Sequence, residues 1–220
     1  MPLINRSDYS QAMSSNRLKH KRLWVFDLDG TLTRPVHDFV AIRHALGVPL
    51  EEDILTFLDQ LPAEESRRRH RKLERIERDL AHQSQAAKGV FECLRWLADS
   101  ADFGLLTRNT RDNALLSLRA IDVGELFFPE AVLGRECAAP KPAPDGIQQL
   151  MRHFRVSPEQ SVMVGDFSHD LAAGRAAGVT TVHVNFRGRF EWEALADHCF
   201  DDFTQLHEYL RRASKLGVGN

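Results

Sequence analysis

The sequence predicts an α/β fold: a Rossmann-like, doubly wound parallel sheet as the core, with an all-helical unit inserted into it. Short apolar runs, typical of strands buried on both faces, alternate with helical patterns. Three of these runs end on a polar residue, namely Asp27, Thr107 or Asp166. Residues 34–87, by contrast, contain only helical patterns. Alternating strands and helices predict a parallel sheet with right-handed crossovers.

The same patterns predict the domain boundaries. Residues 22–33 and 88–220 are expected to form the α/β core, and residues 34–87 a helical cap inserted after the first strand. Residues 1–21 are polar and basic and lack the apolar segment of a signal peptide. We therefore expect a loosely ordered lead-in and no secretion.

Five strands are predicted in the core. The first begins at Leu23 and has four apolar residues before Asp27. The others are expected at residues 102–107, 131–133, 161–166 and 180–184. Helices are expected after Gly89, at residues 112–121, through Ile147 and Leu150, at residues 171–177 and at residues 203–212.

Three helices are predicted in the insertion from apolar residues at helical spacing. The first extends over residues 39–46 and is closed by Gly47, the second includes residues 54–61, and the third covers residues 63–87. The third contains an Arg-rich run at residues 67–72. Because acidic residues are interspersed with the basic ones, we interpret this run as a solvated helix face rather than a nucleic-acid site.

Composition excludes several classes of function. The formal net charge of −2 argues against a general nucleic-acid or membrane-surface binder. The three cysteines are widely spaced and form no C-x-x-C pair, so neither a zinc site nor a disulfide framework is expected. No apolar run approaches the roughly 18 residues that span a bilayer. A cytoplasmic protein fits these observations best.

Asp27 and Asp29 form the first candidate site. Two carboxylates this close repel each other unless one is protonated or a cation lies between them. Mg²⁺ suits such a site, since it binds one or two carboxylates and completes its shell with water and substrate phosphate. The alternative is a simple acidic turn, because Asp and Gly are common turn residues.

Polar residues at other strand ends strengthen the functional interpretation. In a parallel sheet, the ends of the strands that carry Asp27, Thr107 and Asp166 lie on the same edge. Lys141 lies in a proline-stiffened loop that can return to this edge, and Asp170 follows Asp166 by four residues. Carboxylates, a hydroxyl and an ammonium group around one crevice predict a site for a metal and a phosphate.

These residues resemble the four motifs of the haloacid dehalogenase superfamily of phosphatases and phosphotransferases. The run Asp-Leu-Asp-Gly-Thr at residues 27–31 resembles the first motif, Thr107 the second and Lys141 the third. Gly165-Asp166 with Asp170 resembles the fourth. The resemblance extends over about residues 23–184, and the insertion falls where such proteins carry a helical cap.

The resemblance implies a Mg²⁺-dependent phosphatase that acts on a small phosphomonoester. Asp27 would be the nucleophile and form an aspartyl-phosphate, a known route for carboxylates. Asp29 would act as general acid and base. Thr107 and Lys141 would bind the phosphoryl oxygens and offset their charge.

The resemblance also implies ligands for the metal and the substrate. The Asp27 and Asp166 side chains and the backbone carbonyl of Asp29 would bind Mg²⁺, and Asp170 would orient its water shell. Further substrate contacts are expected from Gly30, Thr31, Arg108, Asn109, Arg34 and His37.

Two alternatives remain at this stage. A sugar-phosphate mutase of the same superfamily also keeps the acid at the position of Asp29. A receiver-type signalling module uses acids, Thr and Lys at strand ends, but its acidic pair precedes the phosphorylated Asp on an earlier strand. The expected partner is a small phosphorylated metabolite, with no nucleic acid or membrane, and the sequence leaves the substrate and oligomeric state open.

Overall fold

A six-stranded parallel sheet forms the centre of the molecule in the computed structural model, which describes residues 18, 20–35 and 39–216. The strand order is β3-β2-β1-β4-β5-β6, and all neighbouring strands pair in parallel. The strands are β1 (Leu23–Phe26), β2 (Asp102–Leu106), β3 (Val132–Leu133), β4 (Ser161–Gly165), β5 (Thr180–Val184) and β6 (His198–Phe200).

Eight α-helices accompany this sheet in the described part of the chain. Three belong to the insertion and five to the core. They are α1 (Phe39–Leu46), α2 (Ile54–Asp59), α3 (Ala63–His82), α4 (Val90–Leu97), α5 (Arg111–Ala120), α6 (Asp145–Phe154), α7 (Ser168–Ala176) and α8 (Phe203–Leu216).

Both faces of the sheet are covered, and β1 shows why its sequence is apolar throughout. Trp24 and Phe26 belong to the cluster on one face, which includes Phe203 of α8 at a ring-centroid distance of 6.2 Å from Phe26. Leu23 and Val25 point to the other face and join a second cluster. A strand buried on both sides needs apolar residues at every position, which explains the continuous run.

The chain order creates a switch point beside β1. The chain passes from β1 to β2 and β3 on one side, then crosses to β4, β5 and β6 on the other. In open α/β sheets, ligands bind in the crevice at the carboxyl ends of the strands where this reversal occurs. The carboxyl ends of β1 and β4 are therefore the expected place for a site.

The insertion is attached to the core through a short two-stranded stem. The backbone N–H of Arg34 donates to the carbonyl of Gln85 at 2.9 Å, and that of Ala87 donates to Leu32 at 2.9 Å. An antiparallel bridge joins Thr33 and Ala86 between these bonds. The outgoing and returning segments are therefore tied together.

The insertion has an apolar cluster of its own. Its buried members are Ile42, Leu46, Val48, Leu58 and Leu73. Helix α3 contributes to this cluster and also packs against core helix α5. The helical unit therefore lies on the core along α3, rather than being joined to it by the stem alone.

The structure differs from the prediction at the end of one helix and by one additional strand. Helix α3 ends at His82, capped by Gln83, because residues 83–87 turn back to form the stem. Strand β6 was not predicted, since His198–Phe200 is short and carries only one fully buried residue. It is an edge strand added beside β5.

The Arg-rich run of α3 is solvated only in part. Arg69 Nη1 donates to the carbonyls of Leu46 and Gly47, at 2.5 and 3.2 Å, and Lys72 Nζ donates to that of Ala45 at 2.7 Å. Carbonyls at a helix end have no partner within the helix. These two cations therefore cap α1, which corrects the expectation of a fully solvated face.

The three cysteines are all free thiols. Within the described ranges, no helix combines the length and the apolar character that crossing a membrane requires.

Candidate active site

The turn after β1 places two acids at the switch point. Asp27 follows the last residue of β1, and its backbone N–H still donates to Val164 of β4 at 2.9 Å. Gly30 has a φ of +86°, and a Cβ there would lie 2.5 Å from Asp166 Oδ2. The turn can therefore approach Asp166 only because residue 30 is glycine.

Three carboxylates converge at this point. One oxygen each from Asp27, Asp166 and Asp170 lies within 4.8 Å of the others. Asp166 follows β4 directly, and Asp170 lies in the first turn of α7, where its Oδ2 accepts from the Phe167 N–H at 3.1 Å. A Cβ on Gly165 would lie 2.2 Å from Asp170 Cβ. Glycine at position 165 therefore allows α7 to bring Asp170 into the cluster.

Lys141 lies among these carboxylates. Its Nζ is 2.5 Å from Asp27 Oδ1 and 2.6 Å from Asp170 Oδ1, and it also donates to the carbonyl of Leu106 at 2.8 Å. The side chain is 3% exposed. A buried ammonium group with three oxygen partners is fixed in position, so Lys141 orients Asp27 as well as partly balancing its charge.

The carboxylates nevertheless carry more negative charge than Lys141 balances. Burial, with a contribution from the charge of Asp170, raises the pKa of Asp27 to about 6, although Lys141 acts in the opposite direction. Burial and the charges of Asp27 and Asp170 raise the pKa of Asp166 to about 8. Against the effect of burial, the charges of Asp170 and Asp27 raise the pKa of Lys141.

This donor set fits a hard divalent cation. The ligands are all oxygens, close enough to share one ion, and the raised carboxyl pKa values indicate electrostatic repulsion that a cation would relieve. The carboxylate of Asp29 is not in this cluster.

Thr31 links two of the clustered acids through its side-chain hydroxyl. Its Oγ1 is fully buried and lies 3.1 Å from Asp27 Oδ2 and 3.4 Å from Asp166 Oδ1. The hydroxyl has one hydrogen to donate, so it can serve either carboxylate. Thr31 thus orients the acids, a role in addition to the substrate contact expected of it.

Thr107 and Asn109 form the other side of the site. Thr107 Oγ1 accepts from the Asn109 N–H at 3.0 Å in the turn after β2. The Asn109 amide is oriented by accepting from the Thr110 N–H at 2.8 Å, and its Nδ2 lies 3.5 Å from Asp29 Oδ2. Helix α5 begins directly after this turn, with Thr110 as its N-cap. The polar groups therefore stand on a rigid strand-to-helix connection.

A cavity of about 530 Å³ lies between these groups and the insertion. Its core wall includes all the predicted catalytic, metal and strand-end residues, namely Asp27, Asp29, Thr107, Arg108, Asn109, Lys141, Asp166 and Asp170. The insertion lines the other side with four apolar and five charged residues, namely Ile42, Ile54, Leu55 and Leu73 with Arg43, Glu51, Glu52, Asp53 and Glu77. The insertion thus covers the end of the sheet where the acids converge.

Of the expected substrate contacts that the structure describes, Arg34, Gly30 and Thr31 do not line this cavity. Arg34 is exposed, and its side chain lies 3.4 Å from Gln85 Oε1 across the stem, away from the lining residues. Its position follows from the pairing of the stem, which the sequence pattern did not predict. His37 lies outside the described residues.

Sequence reasoning missed a polar bridge across the cavity. Arg108 Nη2 lies 2.7 Å from Asp53 Oδ2 of the insertion, and Arg108 Nη1 lies 3.4 Å from His169 Nδ1. Asp53 also caps α2 by accepting from the Thr56 N–H at 3.1 Å. Although burial opposes it, the Thr56 N–H and Arg108 lower the pKa of Asp53. An Asp before a helical pattern is a typical N-cap, so the sequence could have pointed to Asp53. No local pattern predicts that Asp53 pairs with Arg108, 55 positions away.

A second ion pair joins insertion and core beside the first. Arg135 Nη1 lies 2.8 Å from Glu77 Oε1 and 3.0 Å from Oε2, and the two side chains are 13% and 11% exposed. Glu77 belongs to α3 and Arg135 follows β3. Both wall segments of the insertion are therefore connected to the core by charge pairs.

The fold and this cluster of acids define an α/β protein with an acid-rich, cation-compatible site at the switch point of its sheet. The model of the haloacid dehalogenase-like hydrolases matches residues 36–184, more than half of the chain. The chain belongs to this family and is a hydrolase.

Two relatives and one solved structure are similar to this chain. The chain is 31% identical over 206 residues to an uncharacterized hydrolase of Saccharomyces cerevisiae, covering 90% of this chain and 94% of that protein. It is 28% identical over 186 residues to pyrophosphatase PpaX of Halalkalibacterium halodurans, covering 76% and 85%. The structure of a putative phosphoglycolate phosphatase from Lactobacillus plantarum has the same fold, with a TM-score of 0.71 at 16% identity over 86% and 99% of the two chains.

Proposed function

We propose that the protein is a Mg²⁺-dependent phosphatase that hydrolyses a small phosphomonoester through an aspartyl-phosphate at Asp27. The observation that carries this proposal is the position of the Asp27 carboxylate, which is fixed by Lys141 and Thr31 where the cavity meets the carboxylate cluster. The pyrophosphatase and phosphatase names of two similar proteins support phosphorylated substrates.

Asp27 and Asp166, with the backbone carbonyl of Asp29, would hold the Mg²⁺. When bound, the ion neutralises phosphoryl charge and the repulsion between the carboxylates. Asp170 accepts from the Phe167 N–H and pairs with Lys141, so its contribution is to orient its neighbours.

Asp27 would attack phosphorus directly. The new bond joins an Asp27 oxygen to phosphorus, and the bond between phosphorus and the leaving oxygen breaks with its electron pair on that oxygen. A carboxylate needs no base to become a nucleophile when it is ionised. Lys141 holds the attacking group in place and offsets the repulsion between it and the phosphate dianion.

Asp29 would manage the protons. It gives a proton to the leaving oxygen in the first step and removes one from the water that hydrolyses the aspartyl-phosphate in the second. The Asn109 amide, 3.5 Å from its Oδ2, favours an orientation toward the cavity. Thr107 and the N–H groups of the turn at residues 28–31 would bind the phosphoryl oxygens.

The cavity favours a small substrate. A volume of about 530 Å³ closed on one side by the insertion accommodates a phosphorylated metabolite and excludes a folded macromolecule. The insertion acts as a cap that covers the reacting groups and contacts the leaving group. We also expect a reducing, cytoplasmic environment, which the three free thiols support.

A phosphate-release screen of the purified protein against small phosphomonoesters with Mg²⁺ tests the proposal. We expect steady release from at least one compound and none from Asp27→Asn, in which the isosteric amide is not a nucleophile. A long-lived phosphoprotein without turnover would instead indicate a receiver-type acceptor, and transfer between two positions of a sugar would indicate a mutase. Normal turnover in a folded Asp27→Asn protein would reject the covalent mechanism.

The metal requirement is tested separately with the best substrate. Activity should be lost in EDTA and return when Mg²⁺ is added in excess. Ca²⁺ should compete with Mg²⁺ and inhibit, because it prefers more ligands and a looser geometry than in-line displacement allows. Full activity in EDTA, with metal content measured as negligible, would contradict the assigned ligands.

A further inference from the structure

His183 is a buried polar residue that the proposed mechanism does not use. It lies in β5 beside Gly165 of β4, and its side chain is fully buried. Its Nε2 lies 3.1 Å from the backbone carbonyl oxygen of Asp166. The ring also contacts Phe190 edge-on, at a centroid distance of 5.4 Å.

The protonation state of the ring follows from these contacts. A carbonyl oxygen only accepts, so the Nε2 of His183 must carry the hydrogen. Nδ1 is the second polar atom of the ring and also needs a hydrogen-bond partner when it is buried. This Nδ1 is buried and has no hydrogen-bond partner among the residues that the structure describes.

A histidine at this position therefore lowers the stability of the fold, because its Nδ1 is buried without a partner among the described residues. An unsatisfied buried polar atom costs about 1–3 kcal/mol. An apolar side chain would fill a site in the sheet without this loss. The hydrogen bond from His183 Nε2 to the backbone carbonyl of Asp166 offsets part of this cost.

The bond fixes one particular peptide group. The carbonyl of Asp166 and the N–H of Phe167 belong to the same peptide unit, just beyond the last ladder position of β4. His183 holds the carbonyl, and Asp170 Oδ2 holds the N–H at 3.1 Å. A peptide plane held on both sides cannot rotate, so it sets the direction in which the Asp166 side chain leaves the backbone.

The direction of Asp166 is tightly constrained by its surroundings. Its Oδ2 would lie only 2.5 Å from a Cβ on Gly30, so the backbone of the turn after β1 packs directly against the Asp166 carboxylate. Its Oδ1 lies 3.4 Å from Thr31 Oγ1. A rotation of the peptide would move the carboxylate away from the cluster with Asp27 and Asp170.

We propose that His183 is a positioning residue for the cation site, which orients Asp166 by holding the carbonyl of the peptide between Asp166 and Phe167. This inference rests on the proposed Mg²⁺ site. His183 does not line the cavity, so it would act on the site through this peptide group. Groups that orient metal ligands typically change metal affinity by 10–100-fold when they are replaced.

The test compares variants at two positions of β5. His183→Leu and His183→Phe remove the donor, whereas His183→Gln keeps an N–H that can reach the carbonyl. Thr181→Val is the matched control, because Thr181 is also fully buried on β5 but its Oγ1 bonds to Leu195 and Asp197, away from the site. The readouts are the melting temperature in EDTA and the Mg²⁺ dissociation constant from calorimetric titration of the metal-free protein.

We expect the Leu and Phe variants to bind Mg²⁺ at least about tenfold more weakly than the wild type. Their melting temperature in EDTA should change little, because removal of the unsatisfied Nδ1 offsets the loss of a donor to the Asp166 carbonyl. The Gln variant should restore most of the affinity. Thr181→Val should lower the melting temperature and leave Mg²⁺ affinity unchanged.

Three results would overturn the inference. They are wild-type Mg²⁺ affinity in a folded Leu or Phe variant, a Gln variant as weak as Leu, and loss of folding in both apolar variants, which would make His183 a requirement of the fold itself. If the wild type itself showed no saturable Mg²⁺ binding that Asp166→Asn removes, the metal site would be rejected, and the proposed function with it. Mg²⁺-dependent phosphate release with unchanged affinity in His183→Leu would reject the positioning role alone.

Discussion

At the scale of single residues, the carboxylates at the ends of β1 and β4 lie close enough together to repel one another. Asp27 and Asp166 are largely buried beside Asp170, with Lys141 as the neighbouring cation. Burial and the neighbouring carboxylates raise the pKa of Asp27 to about 6 and that of Asp166 to about 8. In the absence of metal, the site therefore holds protons that the unfolded chain would release.

The raised pKa values of Asp27 and Asp166 in the folded state set the sign with which stability depends on pH. Below the unfolded value of 3.8 both states bind these protons, and the folded state keeps them as pH rises. Stability contributed by the pair is full below that value and is lost progressively up to about pH 8. In EDTA, Asp166→Asn should therefore gain melting temperature relative to wild type between about pH 5 and about pH 8.

Saturating Mg²⁺ provides the control for this prediction. Metal binding requires the ionised carboxylates, so it should stabilise the wild type more at about pH 8 than at about pH 5. The Asn variant should lose most of that gain. A melting-temperature difference that does not change with pH in EDTA would show that the carboxylates are not in electrostatic conflict.

Much of the site could be predicted because its residues stand at strand ends. Asp27, Thr107 and Asp166 each follow an apolar run, and parallel strands bring such ends to one edge. The role of His183 could not be predicted in this way. A histidine inside a β-branched strand carries no local signal, and its partner is a backbone carbonyl whose position depends on strand register.

At the scale of elements, two ion pairs of different character join the insertion to the core. Asp53–Arg108 is partly exposed, with side-chain exposures of 38% and 32%, whereas Glu77–Arg135 is nearly buried. Exposed pairs contribute about 0–1 kcal/mol, but removal of one partner from a buried pair leaves an unpaired charge. The α3 side of the insertion is therefore the firmer attachment.

Urea denaturation of three variants tests this difference. Asp53→Asn keeps an N-cap side chain and should lower the free energy of unfolding by less than about 1 kcal/mol. Asp53→Ala should lose about 1 kcal/mol more, because α2 also loses its cap. Glu77→Gln should cost about 3 kcal/mol. Equal losses for Glu77→Gln and Asp53→Asn would show that α3 is not the firmer attachment.

The basic face of α3 gives a second prediction at this scale. Arg67, Arg68 and Arg71 are exposed, whereas Arg69 caps the end of α1. Replacing the first three together by Gln should leave turnover and stability nearly unchanged, whereas Arg69→Gln alone should lower the melting temperature. Phosphate release and thermal unfolding provide the measurements.

A nucleic-acid function would give the opposite pattern. Tight binding of RNA or DNA by the wild type, falling steeply with salt and lost in the triple variant, would contradict the cap interpretation of the insertion. The sequence pattern alone predicted three helices here but placed the end of the third at residue 87. The stem that ends it at His82 depends on pairing with residues 33–34, which periodicity does not report.

At the scale of the whole molecule, the sheet and the insertion line opposite sides of one cavity. The strand ends supply the clustered carboxylates and Lys141, and the insertion closes the cavity with four apolar and five charged residues. The fold class was predictable because alternation of strands and helices is a local pattern. The bridge from Asp53 to Arg108 was not, because it depends on how the insertion packs against the core.

The central claim is that Asp27 becomes phosphorylated during turnover, and rapid acid quenching tests it most directly. Asp29→Asn should still form the aspartyl-phosphate from a substrate with a good leaving group but hydrolyse it slowly, since the base for water is missing. Mass spectrometry of the quenched variant should locate one added phosphoryl group on the peptide that contains Asp27. Phosphate release by the wild type with no phosphoryl group on that peptide in the quenched variant, or with the group on another residue, would contradict the account.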